Sequence, residues 1–541
     1  MRRLVALAVG AAVVLAGAAT VPTAQGAVQA GFNPGGIDWH RCPKGTFLRE
    51  YGAQCGSLRV PLDYNHPHGR KITLALSRVE HTSSKKDYKG IALMNPGGPG
   101  ASGLIMSLYG MFVPHHVGDQ FDWIGWDPRG VGSSTPALTC DRHFFKPDRP
   151  YYVPITAHLD NVWQTRSRHY ARACGNAKAR RLLDHVKTTD TVADMESIRK
   201  ALHRKRINYY GFSYGTYLGQ VYATLHPHRV RRMVLDSTVD PRGVWYRDNL
   251  HQDTAFNRNI KIYFDWLAKY DSVYHLGKSG AAIENHYYDE IRHLRRHPAG
   301  GVFGPDELAD TLLPAGYYVF GWEDIAKAYA ALLNKHNYKP LLRMYRQANS
   351  TKPGGDNSYA MYLATECTDA HWPSNYARMR LDNWRIYARA PFLTWANQWF
   401  NGGGCLGWRG HAGRPVHVTG AHVRQPVLMI DETKDAATPY AGSLEVRSRF
   451  PTASLIAGVG GTTHAGSLSG DACIDNAIAR YLDHGKTPDR VHGRRADAKC
   501  PPLPKPNPTQ TAPSGRTLAP APDRPLWKAL RATVNQASLG R

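Results

Sequence analysis

Residues 209–223 read YYGFSYGTYLGQVYA and place one serine between a β-rich run and a helix-compatible run. Ser213 is the centre of the pattern Gly-Phe-Ser-Tyr-Gly, which matches the G-x-S-x-G nucleophile elbow. A serine held out at a tight strand-to-helix turn has strained backbone dihedrals, and glycines two residues away on each side keep the turn uncrowded. The segment therefore predicts a strand, a reactive serine and a helix whose positive end favours a developing negative charge.

The segments around this elbow repeat short apolar runs that end in glycine-rich turns. The runs are GIALMNPGGPGASG, FDWIGWDPRGVGSS and INYYGFSYG, followed by RMVLDSTVDP at residues 232–241. Strand, turn and helix in alternation indicate a parallel sheet covered by helices. Upstream, CGSLRVPLDY and KITLALSRVEH alternate apolar and polar residues, as paired edge strands do. We predict an α/β-hydrolase fold with a mostly parallel sheet and a large, mainly helical cap insertion.

The chain divides into five predicted parts. Residues 1–30 are a signal peptide, with two arginines, an Ala/Val/Leu run and a small-residue exit at about residues 26–30. The hydrolase core takes residues 31–241 and 421–500, and the Trp- and Tyr-rich helical insertion takes residues 242–420. Residues 501–541 are a proline-rich tail that ends in a stretch compatible with a short amphipathic helix. We therefore expect a secreted, extracellular protein without a stable membrane anchor.

Charge and cysteine content limit the classes of partner. The 541 residues carry 68 Lys+Arg against 43 Asp+Glu, a net charge of +25. A nucleic-acid partner would need a recognisable basic module, which the sequence lacks, so we expect no nucleic-acid partner. We expect a basic secreted protein that acts as a monomer.

An even number of cysteines fits an oxidising compartment and predicts up to four disulfides. Sequential pairing closes four modest loops and is the simplest connectivity. No CxxC spacing occurs, so we predict no metal site. The cysteines are Cys42, Cys55, Cys140, Cys174, Cys367, Cys405, Cys473 and Cys500.

A serine nucleophile needs a base, and the base needs an orienting carboxylate. In this fold the chain order is serine, acid, histidine. The stretch PVLMIDETKDAATPY offers Asp431 and Glu432 at a strand end and Asp435 in the loop beyond, and we prefer Asp435. His464 lies in a glycine-rich loop after the last predicted strand and is the predicted base.

A tetrahedral oxyanion needs preorganised N–H donors. One is the backbone N–H after the nucleophile, that of Tyr214. The other is assigned to Gly98 in the loop NPGGPG, with Gly97 as the neighbouring alternative. A phosphate-binding loop is disfavoured because the Lys-Ser/Thr of a Walker motif is absent.

Four stretches carry a resemblance to a known family: NPGGPGASG, WDPRGVGSSTP, YYGFSYGTYLGQVYATLHPHRVRRMVLDSTVDP and DETKDAATPY. They resemble the secreted tripeptidyl aminopeptidases of actinobacteria, α/β-hydrolase serine exopeptidases of the prolyl aminopeptidase superfamily. The resemblance runs from about residue 40 to 500. It implies release of short peptides, typically tripeptides, from free N-termini, so peptides with a free N-terminus are the predicted partners and no cofactor is implied.

The family match falls on Ser213, Asp435 and His464. The chain departs from the family at two places: Thr-His-Ala stands where Gly-His-Gly is usual, and Lys-Asp-Ala where Leu-Asp-Pro is usual. Neither change removes a reacting group.

An aminopeptidase must also recognise an ammonium ion, which carboxylates from the insertion would do at the cost of their own desolvation. Residues 362–372, YLATECTDAHW, resemble the family segment thought to face the site, so Glu366 and Asp369 are the predicted amine anchor. The alternative is a pair of ordinary solvated acids beside Cys367.

Two other functions fit parts of the same pattern. Esterases, lipases and lactonases share the triad and the oxyanion hole, so a secreted esterase is the main alternative. A non-catalytic binding protein that kept the fold is the second, and the intact Ser213, Asp435 and His464 argue against it. Serine at the elbow also excludes hydrolases that need an aspartate nucleophile there.

Overall fold

The computed structural model describes residues 32–509 and the C-terminal helix Arg524–Leu539. The predicted signal peptide, residues 1–30, and residues 510–523 of the proline-rich tail lie outside the described residues. Within the described part of the chain, no helix combines the length and the apolar character needed to cross a membrane.

Ten strands form a single sheet in the described residues. They are β1 (Asp38–Arg41), β2 (Gln54–Pro61), β3 (Lys71–Val79), β4 (Ile91–Asn95), β5 (Asp122–Trp126), β6 (Ile207–Phe212), β7 (Val230–Asp236), β8 (Val427–Glu432), β9 (Ala453–Gly458) and β10 (Ala498–Cys500). The strand order is β1-β2-β3-β5-β4-β6-β7-β8-β9-β10. The pairs from β1 to β5 through β3 are antiparallel, and all pairs from β5 onward are parallel. The predicted α/β-hydrolase fold is confirmed.

Helices occupy most of the remaining described chain. The α-helices are α1 (Phe47–Glu50), α2 (Ala157–Asn176), α3 (Thr188–Ala201), α4 (Tyr214–Leu225), α5 (Tyr246–Lys269), α6 (Asp271–Tyr274), α7 (Gly280–Arg296), α8 (Pro305–Tyr317), α9 (Trp322–Lys335), α10 (Lys339–Ala348), α11 (Asn357–Asp369), α12 (Tyr376–Tyr387), α13 (Thr394–Asn397), α14 (Gly403–Cys405), α15 (Ala441–Arg449), α16 (Ala472–His484) and α17 (Arg524–Leu539). Shorter 3-10 helices span Leu104–Phe112, Val117–Gln120, Arg180–Leu182, Pro227–Arg229 and Val319–Gly321, and a π-helix spans Gln398–Gly402.

The sheet is covered on both faces. One face packs against α3, α4 and α15, and the other against α16, α17 and the 3-10 helix Leu104–Phe112. Strands β4, β5, β6, β8 and β9 are buried at every position, so their sequences are apolar runs without alternation. Strand β3, which pairs with β2 and β5, alternates buried and half-buried residues over most of its length instead, which explains the alternation seen in its sequence.

Helices α5 to α14 lie between β7 and β8 and form the cap. Its core is aromatic: Trp266, Trp322, Trp395 and Trp399 are all buried in one cluster. The rings of Trp395 and Trp399 stack with their centres 5.6 Å apart, and Trp266 lies 5.3 Å from Trp322. Most of the aromatic residues of this region therefore pack the cap rather than line a binding site.

All eight cysteines are paired. The disulfides join Cys42 to Cys55, Cys140 to Cys174, Cys367 to Cys405 and Cys473 to Cys500. The predicted sequential pairing is confirmed. The Cys367–Cys405 bond ties α11, which carries Glu366, to α14 at the end of the cap.

Candidate active site

The predicted catalytic residues and Gly98 of the predicted oxyanion hole follow the carboxyl ends of parallel strands. Gly98 follows β4, Ser213 follows β6, Asp435 follows β8 and His464 follows β9. Strand β4 pairs in parallel with β5 on one side and with β6 on the other. After β5 the chain crosses over β4 and adds the following strands on the opposite side, so the strand order switches between β4 and β6. A crevice opens at such a switch, and ligands of open α/β sheets bind there.

Ser213 has the backbone conformation expected of a nucleophile elbow. Its φ of 55° and ψ of −126° lie outside the regions that a non-glycine residue prefers. The Ser213 N–H donates to the carbonyl oxygen of Asp236, and the Ser213 carbonyl accepts from the Thr216 N–H at 2.8 Å. A side chain at Gly215 would lie 2.7 Å from the carbonyl oxygen of Asn95. The glycine of the motif is thus required because the elbow packs against the end of β4.

The NPGGPG loop lies directly against this elbow. Gly97 has a φ of 100°, and a Cβ there would lie 2.6 Å from the carbonyl oxygen of Phe212 and 2.8 Å from Cβ of Ser213. The Gly97 N–H donates to Oδ1 of Asn95 at 2.9 Å, so this amide already has a partner. Gly98 lines the same cavity as Ser213 and Tyr214. This arrangement favours Gly98 over Gly97 as the second oxyanion donor.

Asp435 and His464 form a buried, hydrogen-bonded pair. His464 Nδ1 lies 2.7 Å from Oδ2 of Asp435, and both side chains are fully buried. The other ring nitrogen, Nε2, is buried without a hydrogen-bond partner among the described residues. The Asp435 carboxylate also accepts from the backbone N–H groups of Ala437 and Thr438, at 2.8 and 3.0 Å. These bonds fix the orientation of the carboxylate and, through it, of the imidazole.

Thr438 was missed by the sequence reasoning. Its hydroxyl lies 3.0 Å from Oδ2 of Asp435 and 3.2 Å from Nδ1 of His464, so it touches both members of the pair. The signal in the sequence was its place three residues after Asp435, which suits a side chain that folds back onto a carboxylate.

The two other candidate acids have different partners. Asp431 accepts from the Ser443 hydroxyl at 2.6 Å. Glu432 accepts from the Leu503 N–H at 2.8 Å and from the N–H of Thr463, next to His464. Glu432 therefore holds the backbone of the histidine loop without contacting the ring.

A cavity lies between the core and the cap, with Ser213 in its wall. The core contributes Gly98, Ser213, Tyr214 and Thr438. The cap contributes polar residues from α5 and α11 together with apolar and aromatic ones. They include Asp248, Asn249, His251, Gln252, Leu313, Tyr317, Tyr362, Glu366, Leu393, Ala396, Asn397 and Phe400.

Glu366 is a buried acid of this cavity. It is 3% exposed and accepts from Nδ2 of Asn249 at 3.2 Å. Burial raises the pKa of Glu366 to about 8, and hydrogen bonds from Tyr362 and Asn249 act in the opposite direction. A cation bound in the cavity would favour the charged carboxylate, so the site is suited to an ammonium group.

Asp369, the second predicted anchor, is not among the residues that line the cavity. Its Oδ1 accepts from the Thr188 N–H at 2.6 Å, and its Oδ2 accepts from the Thr188 hydroxyl and from Nε1 of Trp245, at 2.6 and 3.2 Å. Burial raises its pKa to about 6, against these hydrogen bonds. Asp369 thus joins α11 to α3 and to Trp245 instead of facing the cavity.

Asp248, on the first turn of α5, is a cavity acid that the sequence reasoning missed. Its Oδ2 is buried and has no hydrogen-bond partner among the described residues. Burial raises the pKa of Asp248 well above its usual range, and the nearby charges of Asp240 and Glu366 raise it further. An acid in the first turn of a helix is common, so no sequence signal distinguished this one.

Comparisons with known proteins agree with this architecture. Residues 93–279 match the family model described as the alpha/beta hydrolase fold, and residues 390–500 match the one described as TAP-like protein. The tripeptidyl aminopeptidase of Streptomyces lividans is 35% identical over 483 residues, which cover 87% of this chain and 88% of that protein. The chain belongs to the tripeptidyl aminopeptidase family.

Other proteins similar to this chain differ in the activity that their names state. The serine protease Hip1 of Mycobacterium tuberculosis is 30% identical over 83% of this chain and 87% of its own length. Carboxylesterase B of the same organism is 29% identical over 81% of this chain and 85% of its own length. The tripeptidyl aminopeptidase family thus places this chain among serine hydrolases of the α/β-hydrolase fold, as the elbow predicted.

Proposed function

We propose that the protein is a secreted serine aminopeptidase that releases short peptides, tripeptides above all, from free N-termini. The observation that carries this proposal is a pair of acids, the buried Glu366 and the half-buried Asp248, in the same cavity as Ser213. An acyl pocket for an apolar ester would have no use for buried carboxylates, which are costly to desolvate. The four disulfides support an oxidising, extracellular location.

The chemistry proceeds through an acyl-enzyme. Nε2 of His464 takes the proton of the Ser213 hydroxyl while Oγ attacks the scissile carbonyl carbon. The N–H groups of Tyr214 and Gly98 donate to the oxyanion of the tetrahedral intermediate. The intermediate collapses, the C–N bond breaks and His464 returns the proton to the leaving amine. The N-terminal fragment stays esterified to Ser213 until water, activated by His464, releases it.

The substrate ammonium would bind between α5 and α11. Glu366 on α11 and Asp248 on α5 supply the negative charge, and Asn249 holds Glu366 in place. Arg242 also lines the cavity, but its guanidinium forms two ion pairs. Nη2 of Arg242 lies 2.6 Å from Oδ2 of Asp240, and Nη1 lies 3.3 Å from Oε2 of Glu445. Its charge is therefore already balanced, and the cavity keeps its preference for a cation. Peptides blocked at the N-terminus would lack that interaction.

The Glu366→Gln variant tests this anchor. We expect its kcat/KM for a free-amine tripeptidyl anilide to fall by roughly 30-fold or more, because a buried charge pair is lost. Its activity toward a small acetate ester should stay close to that of the unaltered enzyme. The matched control is Glu323→Gln, which removes a half-exposed cap acid that does not line the cavity. Equal losses on amine and ester substrates would contradict the anchor.

The pH dependence of the free-amine reaction follows from the pKa of Glu366. Because that pKa is about 8 in the free enzyme, ammonium binding at lower pH must displace a proton from the carboxyl group. We expect kcat/KM for the peptide to rise with pH toward about 8 and then to fall as the substrate amine, with a pKa of about 7.7–8.0, loses its own proton. The ester has no ammonium group and does not depend on the Glu366 carboxylate, so its profile should lack the rise that the pKa of Glu366 causes toward about pH 8. Superimposable profiles for the two substrates would contradict the assignment.

A further inference from the structure

The C-terminal helix α17 carries a buried arginine to the loop that holds His464. Leu526, Leu530 and Val534 recur every four residues and are buried in the cluster that covers one face of the sheet. Arg531, beside them on the helix, is 2% exposed, whereas Lys528 is exposed. A buried guanidinium is costly to desolvate, so its partners indicate what the helix holds.

The guanidinium of Arg531 joins three parts of the molecule. Its Nη1 donates to the phenol oxygen of Tyr109 at 2.9 Å, and its Nη2 donates to the carbonyl oxygen of Ala465. Its central carbon lies 4.9 Å from the centre of the Phe320 ring in the cap, within the range of a cation–π contact. Trp527 meets the same Phe320 ring edge-on at 5.2 Å. Core, cap and histidine loop therefore converge on this side chain.

Ala465 is the residue directly after His464, and its backbone is strained. Its φ of 54° lies in the left-handed region, which a residue other than glycine occupies only when its surroundings hold it there. The Ala465 N–H donates to the hydroxyl of Ser237 at 2.7 Å, and its carbonyl oxygen accepts from Arg531. The N–H and the carbonyl of Ala465 are thus held by different segments, the first by Ser237 in the loop that follows β7 and the second by Arg531 in α17.

The part of the loop after Ala465 is anchored to the core. The Ser467 N–H donates to Oδ2 of Asp236 at 2.9 Å, and the hydroxyl of Tyr210 lies 2.6 Å from Oγ of Ser467. On the other side of the histidine, the His464 N–H donates to the carbonyl oxygen of Tyr317 in the cap at 2.7 Å. Arg531 contacts both the core residue Tyr109 and the cap residue Phe320, so it connects the two sets of anchors.

We infer that Arg531 is a positioning residue for His464, and that α17 sets the geometry of the proton transfer from outside the hydrolase core. This inference rests on the proposed function, in which His464 is the base. Arg531 does not line the cavity and touches no reacting atom. Its loss should therefore lower kcat through a displaced imidazole while substrate binding, which depends on Glu366 and Asp248, persists.

The experiment compares Arg531→Ala, Arg531→Lys and the exposed control Lys528→Ala in the full chain. For Arg531→Ala we expect a fall in kcat of roughly 10- to 100-fold, since a displacement of about 1 Å in a catalytic group can cost 10²-fold. KM should change by less than about threefold, because the ammonium site is untouched. Arg531→Lys keeps the charge and one donor, so its kcat should lie between those of Arg531→Ala and the unaltered enzyme. The kcat of Lys528→Ala should match that of the unaltered enzyme.

Chemical rescue distinguishes positioning from a general loss of folding. Guanidinium chloride at low millimolar concentration should restore much of the kcat of Arg531→Ala, whereas sodium chloride at the same ionic strength should not. A folded Arg531→Ala with unchanged kcat would overturn the inference, as would a loss of activity that guanidinium does not reverse. The proposed function is tested separately by the Ser213→Ala variant. Activity that persists in that variant would contradict the proposed function, whatever the result for Arg531.

Discussion

Ser213→Ala removes the peptidase activity, with kcat lowered by roughly 10⁵- to 10⁶-fold. The hydroxyl of Ser213 is the nucleophile that the elbow offers. The residue has a φ of 55° and lies at the carboxyl end of β6, in the wall of the cavity. The residual rate should reflect binding and the N–H groups of Tyr214 and Gly98, which the substitution leaves in place. The measurement is initial-rate hydrolysis of a tripeptidyl anilide at saturating concentration.

The fold of Ser213→Ala should be intact. Alanine keeps the backbone bonds of residue 213 with Asp236 and Thr216, which do not involve the hydroxyl. Thermal unfolding followed by circular dichroism provides the control, with a melting temperature close to that of the unaltered enzyme. Activity that survives in the folded variant would remove Ser213 as the nucleophile.

Asp435→Asn is expected to have the second largest effect, a fall in kcat of roughly 10³- to 10⁴-fold. The carboxylate accepts from Nδ1 of His464 at 2.7 Å and so places the proton on that nitrogen, leaving Nε2 free to act as the base. An asparagine amide can donate to Nδ1 instead, which would stabilise the wrong tautomer of the ring. KM should change little, because Asp435 does not line the cavity.

Asp431→Asn is the matched control for this variant. Asp431 precedes Asp435 by four residues and is equally buried, but its Oδ2 accepts from Ser443 rather than from His464. Burial raises the pKa of Asp431 well above its usual range, so an amide resembles the protonated acid that the site favours. The control should retain most of its kcat. A larger loss in Asp431→Asn than in Asp435→Asn would reassign the acid.

The features of the fold and the site that the sequence predicted depend on local rules. The glycines of the elbow and of the NPGGPG loop mark close approaches, such as the 2.6 Å that a side chain at Gly97 would leave to Phe212. The apolar runs of β4, β6 and β8 reflect burial on both faces, which gives the sheet its sequence signature. The preference for Asp435 over its neighbours followed from its place in the loop beyond the strand.

The parts that were not predicted depend on contacts between distant segments. Asp369 lies three residues after Glu366 on α11, yet its partners Thr188 and Trp245 come from parts of the chain more than 120 residues away. Asp248 lines the cavity because the first turn of α5 lies beside α11, where Nδ2 of the neighbouring Asn249 donates to Glu366. The orientation of Asp369 does not follow from helical periodicity, because α11 is buried from Tyr359 to Asp369 on every side.

The most direct test of the central claim is the hydrolysis of one tripeptidyl anilide with a free N-terminus and of its N-acetylated counterpart. Both are measured with the unaltered enzyme and with Ser213→Ala. We expect rapid cleavage of the free-amine substrate, little cleavage of the acetylated one and none by Ser213→Ala. Equal cleavage of the two substrates by the unaltered enzyme would contradict the account, because the acids Glu366 and Asp248 would then recognise no ammonium group.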